Sequence, residues 1–208
     1  MLRTISTNIS IITNFGCRAK CWYCIWKGHK FEFINDKTNW VKLEKFLFKY
    51  KNKGKVSVSG GGDCLYKYKK HRTWWQKLFK ITNKLSMKVD VHTREKFYNK
   101  LFWTKINKCV FSSDNLSQDK KYLQYLGKLT KLRITHLITA ASTNRGIRDY
   151  LNFQRKNRCQ FTIKQLTKYS DKGKYCYFRR KYPDIFYLDN GDYNIYYMPD
   201  NSITKNFI

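Results

Sequence analysis

Acidic residues are scarce in this chain. Asp and Glu number 14 among 208 residues, against 43 Lys and Arg, for a formal charge of +29 at pH 7. Glutamate occurs only at Glu32, Glu44 and Glu95. A compositional bias accounts for part of the excess, because Lys, Asn, Ile, Phe and Tyr are all abundant, but it does not account for so few glutamates. A field this positive favours polyanionic partners: DNA, RNA, nucleotide phosphates or an acidic protein. The bland counterpart is a solvated basic surface with no such partner. Long apolar runs are absent too. None approaches the roughly 18 residues of a membrane span, so no membrane is expected. Met1 to Ser6 lacks a signal-peptide core, and a cytoplasmic protein is expected. The only prolines, Pro183 and Pro199, stand in the tail, and there is no Pro-rich linker, internal repeat or low-complexity tract. The length suits one domain with a sizeable core. Seven cysteines in a cytosolic chain point to metal binding or burial rather than to disulfides.

What is present alternates between two periodicities. Thr7 to Thr13 is short and β-branched, ends at Asn14-Phe15-Gly16, and reads as a buried strand. Thr38 to Lys51 reads as a helix through Leu43, Phe46, Leu47 and Tyr50, with Gly54 closing it. Lys55 to Ser59 is a strand running into Gly60-Gly61-Gly62-Asp63. His71 to Ser86 is a helix, and Met87 to Val91 a strand ending at His92-Thr93-Arg94. Glu95 to Thr104 is a short helix, Lys108 to Phe111 a strand ending at Ser112-Ser113-Asp114, and Ser117 to Leu129 a helix. A strand over Leu132 to Ile138, a helix with a basic face over Arg145 to Asn157, and a strand over Gln160 to Leu166 complete the series. Strict βα alternation implies an α/β fold with a parallel sheet and helices outside. The tail beyond Thr167 is Tyr-rich. It carries Asp189-Asn190-Gly191-Asp192, a hairpin signal between Ile185–Leu188 and Tyr193–Tyr197.

Three cysteines, Cys17, Cys21 and Cys24, stand at C-x3-C-x2-C spacing in the loop after the first strand. Three thiolates in so short a loop can hold three irons of a [4Fe–4S] cluster and leave the fourth iron open to a ligand. The same loop also suits zinc, with Cys64 or His29 as fourth ligand. Cys64, Cys109, Cys159 and Cys176 show no paired spacing and read as scattered or buried.

The cysteine spacing, with Tyr23 just before its last member, resembles the radical S-adenosylmethionine (SAM) enzymes. The resemblance implies a partial (β/α)6 barrel over residues 1–166, with residues 167–208 as a C-terminal hairpin extension. It implies a [4Fe–4S] cluster on Cys17, Cys21 and Cys24, and SAM chelating the open iron. Such enzymes cleave SAM reductively to a 5′-deoxyadenosyl radical, which takes a hydrogen atom from substrate. Ser59-Gly60-Gly61-Gly62-Asp63 is similar to the family's Gly-Gly-Glu-type motif, whose backbone receives SAM's amino group; Asp63 and Cys64 stand where Glu and Pro are usual. The resemblance implies cofactor-binding roles for Tyr23, Gly60, Gly61, Gly62, Asp63, Arg94 (SAM's carboxylate), and Ser112 and Ser113 (its ribose). No catalytic residue is assigned beyond these, though Thr139 and Lys164 are further strand-end positions. A one-electron donor such as flavodoxin or ferredoxin is implied as partner.

Aromatic and basic residues interleave at Trp26–Lys30, Tyr66–Arg72 and Tyr175–Tyr182, which suits bases stacking on rings while cations meet phosphates. Substrate expectation therefore falls on a nucleic acid or nucleotide. An enzyme resembling 7-carboxy-7-deazaguanine synthase fits less well, because Ile25 and Trp26 replace the Thr that helps that family hold Mg²⁺. A glycyl-radical activase lacks its Asp-Thr-Asn-Gly-like stretch here. From another class, a zinc-stabilised nucleic-acid-binding module without catalysis remains as an alternative.

Overall fold

The computed structural model describes residues 8–19, 37–164, 172–185 and 194–205. The fold is mixed α/β with a largely parallel central sheet. The chain divides into two compact units: Met1–Phe97, Lys105–Asn107 and Asn190–Ile208 form one, and Tyr98–Thr104 with Lys108–Asp189 the other.

The first unit contains strands β1 (Asn8–Gly16), β2 (Lys55–Gly62), β3 (Lys88–Thr93), β7 (Asn194–Tyr197) and β8 (Ile203–Thr204), and helices α1 (Trp40–Lys49) and α2 (Arg72–Lys84). Its strand order is β3-β2-β1-β7-β8, and only β8 is antiparallel to its neighbour. Parallel neighbours need long crossovers, and α1 and α2 occupy those between β1, β2 and β3. Parallel strands are buried on both faces. Accordingly Ile9, Ile11, Ile12, Val56, Val58, Val89 and Val91 are all 4% exposed or less. The helices bury the faces that their spacing predicts: Leu43, Phe46 and Leu47 on α1, and Trp74, Trp75, Leu78, Phe79 and Thr82 on α2. α1 starts where the Asn39 side chain accepts from the Lys42 N–H at 3.0 Å. It runs into a 3-10 turn, Lys51–Lys53, that Gly54 closes in the left-handed region.

The second unit contains α3 (Lys100–Trp103), β4 (Lys108–Ser112), α4 (Leu116–Gly127), β5 (Lys131–Leu137), α5 (Asn144–Asn157), β6 (Gln160–Lys164) and α6 (Lys172–Lys181). Its strands are parallel in the order β6-β5-β4. Leu123, Leu126, Ile134, Ile147, Tyr150, Phe161 and Ile163 form the core, with the Tyr150 and Phe161 rings stacked at 4.7 Å. Neither stretch of sheet closes on itself.

The helix expected over Glu95 to Thr104 shrinks to the single turn of α3, because Asn99 caps it and the residues before it brace β3. Of the hairpin expected between Ile185–Leu188 and Tyr193–Tyr197, Ile185 belongs to a 3-10 turn, Pro183–Ile185, and Asn194–Tyr197 is β7; residues 186–193, with the Asp189–Asp192 signal, lie outside the described residues. A hairpin joins β7 to β8 through a turn with Asn201 at φ +65°. Helix α6 was not expected at all.

β7 is held by the start of α1. The Tyr197 hydroxyl donates to the Asn39 carbonyl at 3.1 Å and to Asn201 Oδ1 at 2.9 Å. Asn201 Oδ1 also accepts from the Asn39 N–H at 2.7 Å, and Asn201 Nδ2 donates to the Lys37 carbonyl at 3.1 Å. Burial pushes the Tyr197 hydroxyl up to about 12.

Candidate metal and cofactor site

The first unit gathers the C-terminal ends of β1, β2 and β3. β1 and β2 run in register from Ser10↔Ser57 to Thr13↔Gly60, slip by a bulge, and meet again at Gly16↔Gly62. There the backbones nearly touch. The Asp63 N–H donates to the Gly16 carbonyl at 2.8 Å. Gly62 has φ +120°, and a Cβ on it would overlap the Gly16 carbonyl oxygen. A glycine is required at this position for two independent reasons. Gly60 and Gly61 continue β2 as extended backbone, and Gly61 is buried.

Cys17 follows Gly16 directly and is exposed. The Ala19 N–H points at its sulfur at 3.3 Å. A backbone N–H on sulfur stabilises a thiolate and tunes a cluster ligand. The same sulfur lies 3.8 Å from the Ala19 carbonyl. Tyr23, Cys21 and Cys24 lie outside the described residues, as do His29 and the Trp26–Lys30 stretch. Among the described residues no three His, Cys, Asp or Glu side chains converge as metal ligands. Cys64 is fully buried, and its thiol donates to the His92 carbonyl at 3.3 Å. Cys64 is thus a core residue, as are Cys109 and Cys159, while Cys176 is exposed.

Asp63 follows Gly62 directly at the end of β2. It is 4% exposed. Its Oδ1 accepts from the Leu65 N–H at 2.9 Å and the Thr93 hydroxyl at 2.7 Å. Its Oδ2 accepts from the Arg94 N–H at 2.6 Å and the Glu95 N–H at 3.2 Å. Burial pushes this carboxyl above the usual range while the donors pull it back. All four contacts go to the protein's own groups, so the side chain braces the ends of β2 and β3. Arg94, half-buried, contributes its N–H to that brace.

Sequence reasoning missed Glu95. Its carboxylate holds the Arg18 guanidinium at 2.6 Å, with a second contact from Arg18 Nε at 3.4 Å. The hydrogen bond to Glu95 holds the Arg18 pKa above its ordinary value. Arg18 sits between Cys17 and Cys21, so the brace at Asp63 continues through the 93–95 turn to the cysteine loop. The available signal was rarity: a glutamate among so few has a specific partner, as Glu44 also does with Lys84 at 2.8 Å.

The Tyr66–Arg72 stretch is turned onto its own unit. Tyr68 packs on Phe97 at 4.5 Å, and His71 stacks on Phe15 at 3.9 Å. Lys67 lies over the Tyr66 ring.

Ser112 and Ser113 belong to the second unit. Ser112 is exposed, its hydroxyl 3.3 Å from that of Thr135. Ser113 is 1% exposed and committed internally: its hydroxyl donates to Asp119 Oδ2 at 2.7 Å and meets the Tyr150 hydroxyl at 2.8 Å. The Ser113 carbonyl accepts from the Tyr150 hydroxyl at 3.1 Å and from His136 Nδ1 at 2.9 Å. His136 Nε2 faces the Ser142 hydroxyl at 3.3 Å, which accepts from the Thr139 N–H at 3.0 Å. A neutral His136 protonated at Nδ1 satisfies every partner. Burial holds its pKa below the usual histidine range. His136 gave no sequence signal, since one histidine within an apolar strand reads as core. Lys164 is exposed at the end of β6.

No protein-family model matches the chain, and no curated protein sequence does. Among solved structures, the chain is similar to the crystal structure of Streptococcus suis SuiB, at a TM-score of 0.64 and 15% identity, over 98% of this chain. The chain spans 61% of the length of that structure. The likeness establishes a shared α/β fold.

Proposed function

We propose that the chain is a radical SAM enzyme in which Cys17, Cys21 and Cys24 hold a [4Fe–4S] cluster. The observation that carries the reading is the position of the C-x3-C-x2-C loop. It starts directly after β1, where Gly16 meets Gly62 of the glycine turn and Cys17 presents an exposed sulfur. The finer fold we infer is a partial (β/α)6 barrel over residues 1–166 with 167–208 appended. When bound, the cluster supplies the electron for reductive cleavage of SAM. This chain's own residues arrange the place for it. Gly16 and Gly62 bring two strand ends within hydrogen-bond distance, and the Gly61–Gly62 backbone is the candidate partner for SAM's amino group. Asp63 fixes the 93–95 turn, and Glu95 with Arg18 anchors the cysteine loop. Arg94 is the candidate for SAM's carboxylate and Ser112 for its ribose.

The net charge of +29 supports two further parts of the proposal. One is docking of an acidic one-electron donor of the flavodoxin or ferredoxin kind. The other is a nucleic acid or nucleotide as substrate. A cytoplasmic location is part of the same reading. Anaerobic purification with iron and zinc analysis tests the core of it. The expected result is a brown protein with about four irons, whose reduced spectrum changes on adding SAM and which releases 5′-deoxyadenosine under reduction. Cys21→Ala should abolish all three. A colourless protein holding one zinc would sink the proposal.

A further inference from the structure

We propose that the N-terminal part of α5 and the neighbouring side of α6 form a docking surface for single-stranded nucleic acid, gripped by Arg145, Arg148, Arg180 and Lys181 around the exposed ring of Tyr177. The inference deepens the substrate part of the proposal above but does not depend on the cluster.

Inside the second unit, polar contacts join α6 to the start of α5 and to the loop that leads into it. Asn144 Nδ2 donates to the Tyr177 hydroxyl at 2.9 Å, and that hydroxyl lies 3.3 Å from Asn144 Oδ1. Lys174 Nζ reaches the carbonyls of Ala140 and Ser142 in the loop that leads into α5. Phe178 turns inward at 2% exposure and stacks on Tyr182. With Phe178 in the core, helical spacing places Tyr177, Arg180 and Lys181 together on α6. Arg145 and Arg148 lie one turn apart on α5, and all of these cations are exposed.

Local compensation for these cations is sparse: Asp149, one turn from Arg145, is the single acid on the two helices. α5 has no acid in its first turn and carries Arg145 there, where the helix dipole disfavours positive charge. α6 contains no acid at all. Arg148 lies close enough to Lys181 to oppose its charge. Lys181 is occupied with the Tyr177 hydroxyl at 2.9 Å, not with a carboxylate. Its hydrogen bond holds that hydroxyl below the usual tyrosine range. A polyanion supplies the missing compensation. Guanidinium forks match phosphate oxygens, and the Tyr177 ring, 40% exposed with Lys181 Nζ over it at 5.3 Å, pairs a stacking surface for an unpaired base with a cation for its phosphate. A duplex, whose bases are already stacked, would leave the ring unused.

The test is binding of a fluorescent oligo(U) 20-mer by anisotropy across a salt series, for the parent chain and Arg145→Gln/Arg148→Gln/Arg180→Gln. The parent should lose affinity steeply with salt. The triple variant should bind at least tenfold more weakly, with the slope of log K against log salt lowered by about 0.7 for each phosphate contact removed. Tyr177→Leu should weaken binding with little change in slope, and a blunt duplex should compete poorly. Circular dichroism confirms that each variant folds. An unchanged affinity and slope in the triple variant would overturn the surface, and equal competition by duplex would overturn its single-strand preference. Iron content is read separately, so a protein without iron still decides this question.

Discussion

Asp63→Asn is the sharpest probe of how the strand ends are held. The carboxylate accepts four hydrogen bonds while 4% exposed. The amide that replaces it keeps one oxygen and turns an NH2 group toward two donors. If the NH2 faces Arg94 and Glu95, two backbone N–H groups lose their acceptor. If it faces Leu65 and Thr93, the Thr93 hydroxyl can rotate to accept, and one N–H is orphaned. The second arrangement is cheaper and decides the estimate. One buried donor left unsatisfied costs ~1–3 kcal/mol, and bonds to a charged acceptor exceed neutral ones by roughly 1 kcal/mol each. Removing the charge also removes its desolvation cost, the largest influence on this carboxyl. The net expectation is a loss of about 2–3 kcal/mol, read from the urea midpoint of tryptophan fluorescence. A variant within about 0.5 kcal/mol of the parent, the range of an ordinary surface substitution, would refute the brace. Glu95→Gln separates bracing from anchoring. It leaves the Asp63 bonds intact and removes the negative charge that holds Arg18, whose side chain is 76% exposed, so stability should change little while iron retention after reconstitution falls.

Gly62→Ala should destabilise by more than about 3 kcal/mol, from the positive φ and the overlap with the Gly16 carbonyl together; soluble expression with an unchanged urea midpoint would contradict it. Tyr197→Phe should cost about 1 kcal/mol and Asn201→Ala about 2–3 kcal/mol by the same measurement, because Asn201 makes three hydrogen bonds and holds a left-handed backbone position. Asn201→Gly should recover only the backbone part. His136 sets a pH dependence. Its folded pKa lies below the unfolded value near ~6.5. Its contribution is therefore present above that unfolded value and lost as pH falls toward the folded one. Unfolding midpoints at successive pH values should show stability falling on acidification. In His136→Gln that part of the slope should vanish, and a variant retaining the full slope would exclude His136 as its source.

The strands were legible because buried parallel strands are apolar on both faces, and α1, α2, α4 and α5 because their inward stripes recur at helical spacing. Element ends were less so. Lys55 to Ser59 read as a strand, but β2 continues through the glycines to Gly62, since glycine has no strand signal of its own and pairing with β1 supplies the reason. α6 was missed because its face is aromatic and basic, a composition that resembles a loop until Phe178 is seen in the core. The β7–β8 hairpin went unread for a related reason. Asp-Gly chemistry is a local turn signal, whereas β7 is positioned by parallel pairing with β1, more than 180 residues away in sequence. In the site, the close approach at Gly62 was legible from position, and the bracing by Asp63 was not, because three of the groups that saturate it, on Thr93, Arg94 and Glu95, lie about thirty residues on, at and just beyond the end of β3.

Scarcity of acid gives the site a further property. Of the described glutamates, Glu44 and Glu95 each hold a cation. Asp63 and Asp119 accept from side-chain hydroxyls, and Asp90 from the Asn107 side chain at 2.6 Å. Acids with these structural tasks leave little negative charge to offset the cations of α5 and α6. The same composition that lets a carboxylate be read as a brace therefore leaves the basic helix faces sparsely compensated. The brace at Asp63 is buried and should be insensitive to salt, whereas the α5–α6 surface is exposed and screened within about 8–10 Å at physiological ionic strength. Raising salt from 50 to 500 mM should then release a bound oligonucleotide without lowering the urea midpoint of the free protein. A parallel loss of both would mean that the exposed cations stabilise the fold, and would remove the reason for assigning them to a partner.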